Sequence, residues 1–130
     1  MSFHLRAFDG EPSSIGEARD FVGLTLQAAG GQWARLCDDL LLAASELATN
    51  AVLHAHTPYA VDLLLDHDAF LGVTDRSVEP PAVNHPPPTA ISGRGLLLIE
   101  QLADEWGIEQ FEDGKRVWCR LHLPVDPDRR

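Results

Sequence analysis

The chain has 130 residues, of which 45% are hydrophobic and 23% are charged, a composition typical of one folded domain. Its 20 acidic and 10 basic residues give a net charge of −10, which excludes a general binder of nucleic acids or anionic membranes, because phosphate groups require clustered lysine and arginine. The N-terminus lacks a basic-then-apolar signal pattern, and no apolar run reaches the roughly 20 residues of a membrane span, so a cytoplasmic protein is predicted.

The first quarter of the chain predicts one strand and one helix. Residues 3–8 alternate between apolar and polar side chains, which is typical of an edge strand. Ser13 or Ser14 is expected to cap the helix that follows, with Glu17 as the capping-box partner of Ser14. Apolar residues then recur at helical spacing until Gly30 and Gly31, where the helix is predicted to end.

A second helix is predicted over residues 33–55, and it carries the most informative polar residues of the chain. Glu46 and Asn50 are four residues apart, so their side chains lie on the same side of the helix, and His54 continues that row. A carboxylate can accept a proton or orient a nucleophile, and an amide oxygen is a hard ligand suited to Mg²⁺. Taken alone, this spacing is more often that of an ordinary solvated stripe on an amphipathic helix, so the functional interpretation depends on the rest of the chain.

The middle of the chain predicts a hairpin followed by a long loop. Residues 59–65 and 69–75 are rich in apolar and β-branched side chains and are separated by a short polar turn. Residues 76–92 contain five prolines and few apolar anchors. A loop of this length in a compact domain is often functional, so both a lid and a simple surface excursion remain open.

The last part predicts a helix and a second hairpin. Gly93 and Gly95 stand at the start of a helix that runs to about residue 103, where they would let a ligand approach the backbone N–H groups. Two strands over residues 106–111 and 117–123 are joined by a turn at residues 112–115. We therefore predict one domain over residues 1–123 and a polar tail over 124–130.

This order of elements predicts an α+β fold. One strand, two helices, a hairpin, a loop, a helix and a second hairpin suit a two-layer sandwich, with the helices on one face of a mixed, mostly antiparallel sheet. The two cysteines, Cys37 and Cys119, fall in a helix and a strand pattern and are expected to be reduced, buried thiols.

Three separated segments resemble motifs of the GHKL (Bergerat-fold) ATPase/kinase superfamily. Residues 46–54 (ELATNAVLH) resemble its N box, residues 73–75 (VTD) its first glycine box, and residues 93–96 (GRGL) its second. The closest subgroup is the bacterial anti-sigma-factor serine/threonine kinases of the RsbW and SpoIIAB type, whose final hairpin is similar to residues 114–118 (GKRVW). The resemblance extends from about residue 14 to residue 123.

The resemblance implies a role for each matching residue in holding ATP under a lid. Asn50 would bind a Mg²⁺ ion that bridges the phosphates, and Glu46 would act as the general base or orient the attacking group. Asp75 would accept a hydrogen bond from the adenine amino group. The second glycine box would supply further ATP-binding residues, namely Gly93, Arg94, Gly95 and Leu96.

Two functions follow from the resemblance as alternatives. The first is an ATP-dependent kinase that phosphorylates an anti-anti-sigma (STAS-domain) protein and sequesters a sigma factor. Related proteins often dimerise through the face that carries the first strand, so the resemblance also implies that a homodimer can form. The second is a non-catalytic partner-binding module, either nucleotide-responsive or nucleotide-independent. Ser77 and Glu79 favour the second, because they replace glycines of the first glycine box and so remove easy positive-φ conformations at the lid hinge.

Overall fold

The computed structural model describes residues 1–77 and 94–124. The elements in this part of the chain are five strands and three α-helices in the order β1 (Ser2–Phe8), α1 (Ser14–Ala29), α2 (Ala34–Asn50), β2 (Tyr59–Leu65), β3 (Asp68–Asp75), α3 (Arg94–Leu102), β4 (Glu105–Phe111) and β5 (Gly114–His122). A 3₁₀ turn (Gly31–Trp33) precedes α2, and a π-helical turn (Ala51–Ala55) follows it. Most of the predicted loop lies outside the described residues.

The strands form one sheet in the order β1-β2-β3-β5-β4. Every neighbouring pair in it is antiparallel, so the sheet is more uniform than the expected mixture. The predicted α+β sandwich is confirmed. Because β3 lies at the centre, its last residue, Asp75, has Tyr59 of β2 on one side and Lys115 of β5 on the other.

The core lies between the helices and one face of the sheet. Alternate residues of β2, β3 and β5 are buried on that face, as expected for a sheet covered on one side. The helix α2 contributes the central apolar row, which includes Leu40 and Leu47, each almost fully buried. Both α1 and α3 pack against α2. None of the helices in the described residues is long and apolar enough to cross a membrane.

The start of α1 differs from the predicted capping box. Neither Ser13 nor Ser14 caps the helix through its side chain; Ser14 is instead the first residue of α1 and is buried. The Ser14 hydroxyl donates to the carbonyl of Glu11 at 2.7 Å and shares a second 2.7 Å hydrogen bond with the Tyr59 hydroxyl. Burial raises the pKa of Tyr59. This buried pair attaches the start of α1 to β2, which is why a local capping rule fails here.

Cys119 provides a pH-dependent test of the core. It is fully buried on β5, and burial raises the pKa of its thiol from 9.0 to about 12. The thiol is protonated in both states below pH 9, but between pH 9 and 12 it ionises only in the unfolded chain. We therefore expect its contribution to stability to fall by about 1.4 kcal/mol per pH unit across that range and to level off above it.

The measurement is urea unfolding under reducing conditions at several pH values from 8 to 11. The variant Cys119→Ala is expected to be less stable at pH 8, because it leaves a small cavity, but to lose stability less steeply as the pH rises. The same substitution at the partly exposed Cys37 serves as the control. Equal alkaline slopes for the wild type and Cys119→Ala would contradict the expectation.

Candidate functional site

Glu46 and Asn50 lie on α2 at the margin of the core. Both side chains are half-buried, and Leu47 beside them is almost fully buried. Within the described residues, neither side chain makes a hydrogen bond, whereas Ser45 and Thr49 bond back to carbonyls of their own helix at 3.0 and 2.6 Å. The carboxylate and the amide are therefore the polar groups of this helix turn that remain available to a ligand.

The end of this helix is fixed beside the end of β3. After Asn50 the helix widens into the π-helical turn, which contacts β3, so the helical segment ends at residue 55 as predicted, although its last five residues are π-helical rather than α-helical. The turn ends at His56, which has a left-handed backbone with φ of 55°. The next residue, Thr57, accepts a hydrogen bond from the backbone N–H of Arg76 at 3.1 Å through its Oγ1. The N-box segment and Asp75 thus belong to one corner of the molecule.

Asp75 forms a buried ion pair that was not predicted. The Nζ of Lys115 lies 3.0 Å from both carboxylate oxygens, and the two side chains are only 6% and 5% exposed. The backbone N–H of Ser77 donates to Asp75 Oδ1 at 2.8 Å. The carboxylate is therefore held by an ammonium group and a backbone donor, rather than being an unpaired acceptor.

Gly114 brings Lys115 to this position. A Cβ atom added at Gly114 would lie 2.2 Å from the carbonyl oxygen of Asp75, so only glycine allows β5 to begin so close to β3. The sequence prediction placed Gly114 and Lys115 in a turn, whereas both belong to β5. Strand alternation extended back from Val117 would have placed Lys115 on the buried face.

The second glycine box is described only from Arg94 onward, because Gly93 lies outside the described residues. Arg94 and Gly95 are the first two residues of α3. Leu96 is 3% exposed and belongs to the hydrophobic core, so any contact that it makes with a ligand would come from its backbone. The helix α3 belongs to the same helical layer as Glu46 and Asn50, since it packs on α2.

Comparison with known families identifies this arrangement. The histidine kinase-like ATPase domain family matches residues 8–121, nearly the whole chain. The chain belongs to this family. The fold of this histidine kinase-like ATPase domain is also similar to the solved RsbU and RsbW domains of Rv1364c from Mycobacterium tuberculosis, with a TM-score of 0.74 and 20% sequence identity over 97% of the chain. The match covers 34% of that longer chain. A comparison with curated proteins finds no match.

Family membership implies ATP as the ligand of this domain, and ATP commonly binds together with Mg²⁺. No group of three or more His, Cys, Asp or Glu side chains in residues 1–77 and 94–124 could hold a metal ion. Asn50 offers one amide oxygen. Mg²⁺ retains several waters and commonly takes its other ligands from substrate phosphates, so a single protein ligand fits a metal that arrives with ATP.

Proposed function

We propose that this histidine kinase-like ATPase domain is an anti-sigma-factor serine/threonine kinase, which phosphorylates an anti-anti-sigma (STAS-domain) protein and sequesters a sigma factor. The observation that carries the proposal is the pair of available polar groups, Glu46 and Asn50, at the corner that also holds Asp75. The structural similarity to a protein with an RsbW domain supports it.

In the proposed reaction, Asn50 would hold the Mg²⁺ that neutralises the charge of the triphosphate when it is bound. Glu46 would accept the proton of a serine or threonine hydroxyl on the partner. The hydroxyl oxygen forms a bond to the γ-phosphorus, the bond from that phosphorus to the β-phosphate oxygen breaks, and ADP leaves. Arg94 and Gly95 are the first residues of α3, where backbone N–H groups and the helix dipole favour phosphate, and Gly93 directly precedes them in the sequence.

Specific observations favour the alternative of a non-catalytic regulatory module. Ser77 and Glu79 replace two glycines of the lid motif, which removes easy positive-φ conformations at the lid hinge. Such a protein would hold its partner with or without nucleotide. Both the kinase and the non-catalytic module could form a homodimer through β1. Phe3 and Leu5 on this edge strand are 61% and 62% exposed and would be covered by a second copy.

Nucleotide binding is the first test. Millimolar ATP with Mg²⁺ is expected to raise the melting temperature, since a ligand at 100 times its Kd adds about 2.7 kcal/mol of stability. We expect Asn50→Ala to abolish most of this increase. Gln27→Ala, which removes an exposed amide on α1, should retain it. No increase for the wild type would contradict every ATP-dependent version of the function.

Phosphate transfer separates the kinase from the binding module. Incubation with γ-labelled ATP and a candidate STAS-domain protein is expected to label a serine or threonine of the partner. If the domain binds ATP and also binds the partner without labelling it, the non-catalytic alternative is correct. Mass spectrometry of the labelled protein would distinguish a hydroxyl phosphoester from phosphohistidine.

A further inference from the structure

We propose that Lys115 is a specificity-determining residue, which reads a ring nitrogen of the nucleotide base while Asp75 reads the neighbouring amino group. This inference rests on the ATP site proposed above. Its starting observation is that the ammonium group contacts both carboxylate oxygens of Asp75, each at 3.0 Å. An ammonium group has three N–H donors, and two of them serve these contacts.

The third donor of Lys115 has no partner among the residues that the structure describes. The Lys115 side chain is only 6% exposed, so bulk water is largely excluded from it. A buried donor without an acceptor is unfavourable, and a ligand atom that accepts its hydrogen bond is correspondingly favoured. The pair therefore offers a ligand one free donor immediately beside a carboxylate.

The carboxylate retains acceptor capacity of its own. Asp75 Oδ1 accepts from Lys115 and from the backbone N–H of Ser77, while the hydrogen bonds described for Oδ2 come from Lys115 alone. Two carboxylate oxygens together offer about four acceptor positions, so at least one of them remains for a ligand. An acceptor and a donor thus stand side by side in a fixed order, because Asp75 belongs to β3 and Lys115 to β5 in direct register.

Adenine has the complementary edge. Its exocyclic amino group is a donor, and the adjacent ring nitrogen N1 is an acceptor. Guanine carries a carbonyl oxygen and a ring N–H at the same two positions, so in the same ring orientation it would place an acceptor against the carboxylate. A lone carboxylate would test only the amino group, whereas the Asp75–Lys115 pair tests both atoms.

The test compares ATP with 1-deaza-ATP, in which N1 is replaced by C–H and the amino group is kept. Affinities are measured by calorimetry with Mg²⁺. We expect the wild-type protein to bind ATP roughly tenfold or more tightly than the analogue, because a hydrogen bond to a charged donor is lost. In Lys115→Met the two affinities should become nearly equal. Arg116 follows Lys115 in β5, and its side chain lies on the other face of the sheet, where it bonds to Asp62. The variant Arg116→Met should therefore keep the wild-type ratio of the two affinities.

Each outcome of this experiment has a distinct meaning. Equal wild-type affinities for the two nucleotides would overturn the role of Lys115 while leaving the ATP site intact, and so would a preference retained in Lys115→Met. Failure to bind either nucleotide would overturn the proposed ATP site and this inference with it. If Lys115→Met does not fold, the shorter polar variant Lys115→Thr is compared in the same way. A wild-type ratio of ATP affinity to 1-deaza-ATP affinity close to one contradicts the proposal whether or not either variant folds.

Discussion

Replacement of Lys115 by alanine is expected to lower the free energy of unfolding by about 3–5 kcal/mol. The substitution leaves the Asp75 carboxylate 5% exposed and without its cationic partner, which is the most costly way to break an ion pair. Burial of the intact pair itself contributes little net stability, because the cost of removing both charges from water largely offsets their attraction. The expected loss is therefore the penalty for an unpaired charge.

Urea unfolding at pH 7 measures this loss, and two variants separate its causes. Glu105→Ala removes the exposed ion pair with Arg120, whose atoms lie 2.7 Å apart, and should cost no more than about 1 kcal/mol. The double variant Asp75→Asn/Lys115→Met should recover most of the stability, since neither residue then carries a charge. If Lys115→Ala costs no more than Glu105→Ala, the ion pair does not have the importance that its burial indicates.

Local periodicity accounts for the parts of the fold that could be predicted from the sequence. The strand predicted over residues 59–65 coincides with β2, and the first helix ends before Gly30 as expected. The Glu46–Asn50 relationship also depends only on helical spacing, so it could be predicted without knowledge of the tertiary structure. The alternation of apolar residues in a strand and their helical repeat in a helix can be read from neighbouring residues. Both patterns match the structure because one face of each element is buried.

The features that escaped prediction depend on contacts between distant parts of the chain. The dipeptide Asp113–Gly114 predicts a turn from local sequence alone. The glycine is required for a different reason, because β5 passes close to the backbone carbonyl of Asp75. Ser14 occupies a typical capping position but bonds to Tyr59, 45 residues away. The Asp75–Lys115 pair requires the register between β3 and β5, which no local pattern specifies.

Replacement of Glu46 by glutamine should give the largest effect on activity. The amide retains the size of the side chain and its position on α2, but it cannot accept a proton from an attacking hydroxyl. A correctly placed general base contributes typically 10²–10⁴-fold to a rate, and we expect phosphate transfer to the STAS-domain partner to slow by about that factor. ATP affinity should change by only a few-fold, because the proposed contact with Mg²⁺ belongs to Asn50 and the proposed contact with the adenine amino group belongs to Asp75.

Single-turnover transfer at saturating ATP, measured beside ATP affinity, distinguishes this role from a structural one. Glu17→Gln provides the matched control, since it removes an exposed carboxylate from α1 and should leave both quantities unchanged. A loss of transfer that parallels a loss of ATP affinity or of melting temperature would show that Glu46 supports the fold or the binding of nucleotide. A loss of transfer with affinity and stability preserved requires the carboxylate to act after ATP has bound, because only the chemical step then distinguishes the acid from its amide.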